Sequence, residues 1–421
     1  MKRGEEGRAA VAEAIERARR AIGIPESWLV DVVAKRAPGW AVVEVDMLPP
    51  GGLPDLPQGV VVARNRVLAA AAIVAGAREV PLRTIDGRSL RARLVRVHEA
   101  LGLAELACRE LRLPPAERFA PAALRDRRFG LMGLLGDGIA IQPVRRVGPQ
   151  ADDGPFVPLR ATGDVPPGAP VFDGRGRLAG VVACQMGSIA YAARLPVTEG
   201  RVRAARERLP VMEVYARMRS GACEWDRIEA AARRWIGHAP WDANAWGVLA
   251  ASLRGQERLD EALDAAQRAA RLDPDQFTVR WTHAEVLRAL GRSREAIEEA
   301  EAALRLAPTI GAAHGIIARA RAALGDAEGA EAAAARALAL APDSYSALVA
   351  LGHAALLRGH HEQAVERLRR AAEREPYDPE VWHLLGVAAA RAGDREEAER
   401  AARQLRRIGA PPDGPFTAGE A

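Results

Sequence analysis

Apolar and polar positions recur along the second half of the chain with a period of 34 residues. Pro240, Pro274, Pro308, Pro342 and Pro376 stand 34 apart, Gly291, Gly325, Gly359 and Gly393 keep the same step, and so do Ala262, Ala296, Ala330, Ala364 and Ala398. Three columns in phase over this length mark a repeat array. Within one period, Trp246, Leu249, Ala250 and Leu253 share one stripe of a helix, and Leu259 to Leu272 reads as a second. The glycine column lies between the two helices, where a residue with φ > 0 closes a helix at little cost. The proline column ends the second helix, because proline lacks an N–H and disfavours helix in the residue before it. The alanine column is where two helices approach closely.

The first half has a different rhythm. Residues 5–22 read as an amphipathic helix. After Pro38-Gly39 come short β runs at Trp40–Asp46, Gly59–Ala63, Glu79–Ile85, Leu90–Val97 and Leu178–Cys184, separated by turn pairs such as Asp86-Gly87 and Asp173-Gly174. Strands of this length and spacing predict an all-β barrel or sandwich.

Composition narrows the reading. The 421 residues suffice for two or three domains, and 49% hydrophobic with 27% charged residues is globular composition. Of 60 basic residues only Lys2 and Lys35 are lysine, and the formal net charge is +5. A GC-rich coding sequence accounts for that arginine usage. Nucleic-acid binding wants basic residues clustered on one face, whereas acids and bases alternate along most of this chain, so a nucleic-acid partner is not favoured. Cys108, Cys184 and Cys223 form no CxxC pair or disulfide framework, which fits a reducing compartment. The N-terminal stretch lacks the apolar core of a secretory signal, and the longest apolar run, Val67 to Ala77, is too short to span a bilayer. The expected location is the cytoplasm, without membrane association. No phosphate-cradling or dinucleotide motif is present, and His360-His361-Glu362 reads as a solvated turn, so neither a cofactor nor a metal is expected.

The periodic columns resemble the tetratricopeptide (TPR) repeat. Trp246-x-x-Leu249-Ala250, Ala262, Ala269 and Pro274 match its signature, as do Trp382-x-x-Leu385-Gly386 and Ala398. The repeats run about 209–242 (degenerate, with Cys223 at its turn), 243–276, 277–310, 311–344, 345–378 and 379–410. The resemblance implies a right-handed α-solenoid whose first helices line a concave groove. By register that groove carries Arg254, Trp281, Arg288, Arg319, His353, His383 and Arg391, a mildly basic surface suited to an extended acidic or apolar peptide. The same arginines also read as a solvated face.

Four segments of the first half resemble trypsin-like serine peptidases of the bacterial high-temperature-requirement (HtrA) type. They are Val67–Ala77 (VLAAAAIVAGA), Glu105-Leu-Ala107, Pro166–Phe172 with Gly176–Val182, and Ser188–Pro196. The resemblance implies two six-stranded barrels. The family's general-base histidine position holds Ala72, its aspartate position Glu105 and its nucleophilic serine position Pro167. A methyl group takes no proton, and proline has neither hydroxyl nor the backbone N–H that the family uses as an oxyanion donor.

The expected architecture is therefore a chymotrypsin-like double β-barrel followed by an all-α TPR solenoid. Its parts are an N-terminal helical segment (1–37), a peptidase-like domain (38–205), the solenoid (209–410) and a flexible tail (411–421). The expected function is a non-catalytic adaptor, a pseudopeptidase that binds protein or peptide partners. Two alternatives stay open at this point. One is a serine peptidase with a displaced triad, such as Ser188 with His98, whose repeats recruit substrates. The other is an assembly element that self-associates through the solenoid. Cys184 reads as a core thiol rather than a nucleophile.

Overall fold

A computed structural model describes residues 42–45, 58–74, 77–84, 88–111, 128–135, 138–148, 154–161, 165–173, 177–207, 210–214 and 224–408. The helix expected at 5–22, Cys223 and the tail at 411–421 lie outside the described residues. The chain divides into two compact units, Met1–Val248 and Leu249–Ala421.

The first unit holds two antiparallel sheets of six described strands. The first comprises β1 (Val42–Val45), β2 (Gln58–Ala63), β3 (Arg66–Ala70), β4 (Glu79–Thr84), β5 (Ser89–His98) and β6 (Leu103–Ala107). The second comprises β7 (Arg128–Leu135), β8 (Gly138–Arg146), β9 (Phe156–Arg160), β10 (Pro170–Asp173), β11 (Leu178–Met186) and β12 (Ile189–Arg194). Each sheet curls until it closes, in the orders β1-β2-β3-β6-β5-β4 and β7-β8-β9-β12-β11-β10, so both barrels share one connectivity. Period-2 patterning fills them. In β4, Val80, Leu82 and Thr84 are buried while Glu79, Pro81 and Arg83 are exposed. Val61, Val67, Ala69, Ala104 and Leu106 complete the first core, and Leu159, Val171, Val182 and Ala192 fill the second.

A single helical turn, α1 (Ala71–Val74), follows β3. Helix α2 (Glu199–Glu207) follows the second barrel, and α3 (Trp225–His238) lies further along. Helix α3 is tied to β12 through a buried polar cluster. Asp242, 4% exposed, accepts hydrogen bonds from the Tyr191 hydroxyl (3.0 Å), the Trp235 indole N–H (3.2 Å) and the Asn244 backbone N–H (3.1 Å). The Asn244 amide donates to the Tyr191 oxygen at 2.8 Å, and the Tyr191 and Trp235 rings meet edge to face at 5.6 Å. Burial, then the Asp242 charge, raises the Tyr191 phenol well above its ordinary range, so it stays a neutral donor.

The division between the units falls inside α4 (Ala243–Gly255). Beyond it come α5 (Leu259–Leu272), α6 (Phe277–Ala289), α7 (Ser293–Leu306), α8 (Gly311–Ala323), α9 (Ala327–Leu340), α10 (Tyr345–Leu357), α11 (His361–Arg374), α12 (Pro379–Ala392) and α13 (Arg395–Arg407). Each column does what its chemistry dictates. Gly291, Gly325, Gly359 and Gly393 have φ between +74° and +81°. Helices α3, α5, α7, α9 and α11 each end two residues before a column proline. Ala262, Ala296, Ala330 and Ala364 are completely buried, and Ala398 of the last pair is partly so. Small residues also let paired helices touch at Gly352, where a Cβ would come within 2.5 Å of the Leu368 side chain.

Candidate functional site

Two places in the molecule hold the residues singled out in the sequence: the seam between the barrels and the face shared by α6, α8, α10 and α12. At the seam, the turn Val165–Ala169 packs against the ends of β2 and β3. The Gln58 N–H donates to the Pro167 carbonyl at 3.0 Å. Gly168 has φ +87°, and a Cβ there would lie 1.8 Å from the Gln58 carbonyl oxygen, so only glycine fits. Ala70, whose N–H faces the same turn, is two residues from Ala72. The turn that carries Pro167 therefore packs beside the end of β3, the strand that leads into α1 and Ala72.

Neither offers a titratable or nucleophilic group. Ala72 is an exposed methyl on α1 and Pro167 a half-buried pyrrolidine. Glu105 stands opposite Leu68 on β6, and its carboxylate pairs with Arg66 at 3.5 Å. The turn's own N–H groups are engaged internally. Val165 donates to the Gln185 side-chain oxygen at 2.7 Å, Gly168 to the Val182 carbonyl at 2.9 Å and Ala169 to the Pro166 carbonyl at 3.1 Å, while Pro166 and Pro167 have none. Gln185 carries no catalytic signature in sequence; its role emerges only from the β11 geometry that turns its amide toward residue 165.

The displaced pair is not assembled. Ser188 Oγ, in the turn between β11 and β12, is buried and makes no hydrogen bond. His98 ends β5 and lines a cleft beside α2. Burial, then Arg96, lowers its pKa against the pull of Glu105, so His98 is neutral near pH 7. Cys184 is buried and its thiol is driven far upward by desolvation; burial raises Cys108 as well, so neither is a ready thiolate. Among the described residues no three His, Cys, Asp or Glu side chains converge on a metal position, His360 and His361 included.

The second place is the face expected to line the groove. Arg288, in the last turn of α6, donates to Glu380 at 3.0 Å although 92 residues separate them. Arg319 of α8 is 6% exposed, also bonds Glu380, faces Asp378 at 3.6 Å and stacks on the Tyr345 ring at 5.5 Å. Burial alone would raise the Glu380 carboxyl, but Arg319 and Arg288 hold it down to about 2. These two cations are therefore already matched by carboxylates, and the mildly basic character expected of the groove is reduced. Trp281 packs on the alanine-rich core of α7–α9, His383 is buried, His353 and Arg254 are half-buried, and Arg391 alone of the set is exposed. Burial lowers the His353 pKa, with Glu380 pulling the other way. Glu380 and Asp378, at and just before the start of α12, fall outside the register positions that predict the groove.

A neighbouring column explains the tryptophans. The Trp246 indole donates to the Pro240 carbonyl at 2.9 Å, and Trp382 does the same to Pro376. One repeat after Trp246, Arg280 takes that place and donates to Pro274 at 3.0 Å.

Family models for the tetratricopeptide repeat match residues 226–277, 282–345 and 321–386. The helical region carries tetratricopeptide repeats. Among solved structures, the chain is similar to the Rv3671c protease of M. tuberculosis in its inactive form, at 24% identity and TM-score 0.33, covering 41% of this chain and 91% of that one. It is similar to the Cut9–Hcn1 hetero-tetramer of the APC/C at 17% identity and TM-score 0.40, covering 47% of this chain and 39% of that one. It is also similar to YrrB, described as a TPR protein with an unusual peptide-binding site, at 22% identity and TM-score 0.29, covering 42% of this chain and 92% of that one. No curated protein matches the chain. Among the described residues no helix is long and apolar enough to cross a membrane.

Proposed function

We propose that this chain is a non-catalytic adaptor. Its repeats bind a protein or peptide partner, and its β-rich unit is a chymotrypsin-like, HtrA-type peptidase scaffold that has lost its chemistry and serves as a docking module in the cytoplasm. The observation that carries this reading is the seam. A methyl group, an arginine-paired carboxylate and a pyrrolidine occupy the three positions that the peptidase resemblance assigns to base, orienting acid and nucleophile, beside a turn whose N–H groups are all engaged. Acyl transfer needs a nucleophile within hydrogen-bond reach of a base, and donors aimed at the developing oxyanion. Val165–Ala169 supplies neither.

The test is direct. Purified full-length protein should leave casein and fluorogenic peptides uncut and should not react with a fluorophosphonate probe, and cross-linking in its native host should trap a protein partner on the helical region. Labelling of Ser188 or any other serine would replace this reading with that of an enzyme. Cross-links only between copies of the chain would make it an assembly element.

A further inference from the structure

The formal charge of the whole chain is +5, and much of it gathers in one hairpin. Between Arg78 and His98 the sequence holds six arginines against Glu79 and Asp86. The fold turns these residues outward, because Ala92 enters the barrel core, with Leu90 and Leu94 packed against it. Arg91, Arg93 and Arg96 of β5 are exposed, with Arg83 beside them on β4. Two acids bordering this face are already engaged, Glu79 by Arg91 at 3.2 Å and Glu105 by Arg66 at 3.5 Å, while Glu99 is exposed just beyond the end of β5. Arg93 and Arg96 make no hydrogen bond or ion pair among the described residues.

The same strand exposes Val95 by 44% and Val97 by 37%, whereas Val60, Val61, Val62, Val67, Val74 and Val80 of the same barrel are buried. Towards its end β5 borders an open cleft of about 650 Å³, lined by Arg96 and His98 on the strand side and by Val202, Arg203 and Arg206 of α2. Arg203 and Arg206 are likewise unpaired among the described residues, while Glu199 and Glu207 also line the cleft. Such a face has two complementary demands: carboxylates for the guanidiniums and apolar side chains for the valines.

We propose that the outer face of β5, running into the cleft beside α2, is a docking surface for an acidic protein segment that interleaves carboxylates with aliphatic side chains. It lies apart from the helical groove and stands whether or not that groove holds a partner. A phosphate backbone would satisfy the arginines and leave Val95 and Val97 wet, and the face carries no aromatic ring on which a base could stack.

The experiment uses the full chain and a fluorescein-labelled twelve-residue peptide of alternating Glu and Leu, read by anisotropy. A Lys/Leu peptide and a single-stranded DNA twenty-mer serve as comparators. The Glu/Leu peptide should bind at low salt. Arg93→Glu with Arg96→Glu should weaken it at least tenfold, whereas Arg294→Glu with Arg305→Glu, which changes net charge equally at exposed sites on α7, should leave it within twofold. Val95→Ser with Val97→Ser should weaken the peptide several-fold. All these residues are exposed, and circular dichroism checks that each variant folds. No binding of the Glu/Leu peptide, equal loss in both charge-reversal variants, or DNA binding tighter than the peptide and indifferent to the valines would overturn the proposal.

Discussion

The barrels and the repeats both reuse a plan, but they store it differently. In the helical region the plan recurs as identity: glycine, proline and alanine return at the same place in nearly every period. In the β-rich unit it recurs as connectivity alone, 1-2-3-6-5-4 followed by 7-8-9-12-11-10, with no shared residues to announce it. The difference is one of range. A helix pair is closed by contacts a few residues apart, so each repeat must carry its own punctuation. A barrel is closed by pairing between distant strands, so its sequence need supply only alternation and turns. Column 242–378 shows what repetition permits. Asp242 and Asp378 stand four periods apart, and each caps a helix by accepting from the N–H two residues on, at 3.1 and 2.9 Å. The spare capacity of Asp242 is used by Tyr191 and Trp235; that of Asp378 by Tyr345 and Arg319.

If that contrast is right, the largest effect of a single substitution should fall where a column residue has been recruited by the β-rich unit. Asp242→Ala strands the buried Tyr191 hydroxyl and Trp235 indole N–H and should cost about 3–5 kcal/mol, read as a fall in denaturation midpoint. A loss no larger than that of an exposed cap would mean that the cluster is not a tie. Gly168→Ala comes next. Its Cβ would meet the backbone carbonyl of Gln58, which cannot swing aside, and φ is already +87°. A cost of about 3 kcal/mol is expected, and unfolding curves should show it confined to the β-rich unit. Ala296→Leu tests the repeats. Ala296 is completely buried between packed helices, and overpacking should cost about 1–3 kcal/mol; an unchanged melt would break the alanine column as a close-approach site.

Legibility followed the same line. The helix pairs, the glycine turns and the proline stops were readable because each is a local rule applied repeatedly. The strands at 59–63, 79–85 and 90–97 were readable as short β-prone runs bounded by turn residues, and the described strands lie within a residue or two of those limits. The partners across strands were not. Nothing in the order of residues says that Gln185 reaches the Val165 N–H, or that Pro167 and Gln58 share a hydrogen bond. The expected groove face was half legible: register places Arg288 and Arg319 on first helices, but only the packing of successive first helices brings Glu380 to both. Small residues allow that packing. At Gly315 of α8 a Cβ would stand 2.7 Å from the Ser346 Cβ at the start of α10, so the two helices pack with nothing between them.

The smallest predicted effect is the sharpest test of the column logic, because it asks the pattern to improve the protein. Thirty-four residues before Gly291 the column holds Glu257, not glycine, yet its φ is +61°, close to the +74° to +81° of its glycine counterparts. The fold has imposed the left-handed turn on a residue whose Cβ resists it. Replacing Glu257 with Gly removes that conflict, and the greater freedom of glycine in the unfolded chain offsets part of the gain. The net should be a stabilisation of about 1 kcal/mol, or about 2–4 °C in a melt of a region this size. The reverse change, Gly325→Ala at φ +81° with open space around the Cβ, should lose a similar amount for backbone reasons alone. If Glu257→Gly destabilises while Gly325→Ala is neutral, the column is a record of descent rather than of conformational demand, and the turn geometry is held by the packing of the flanking helices.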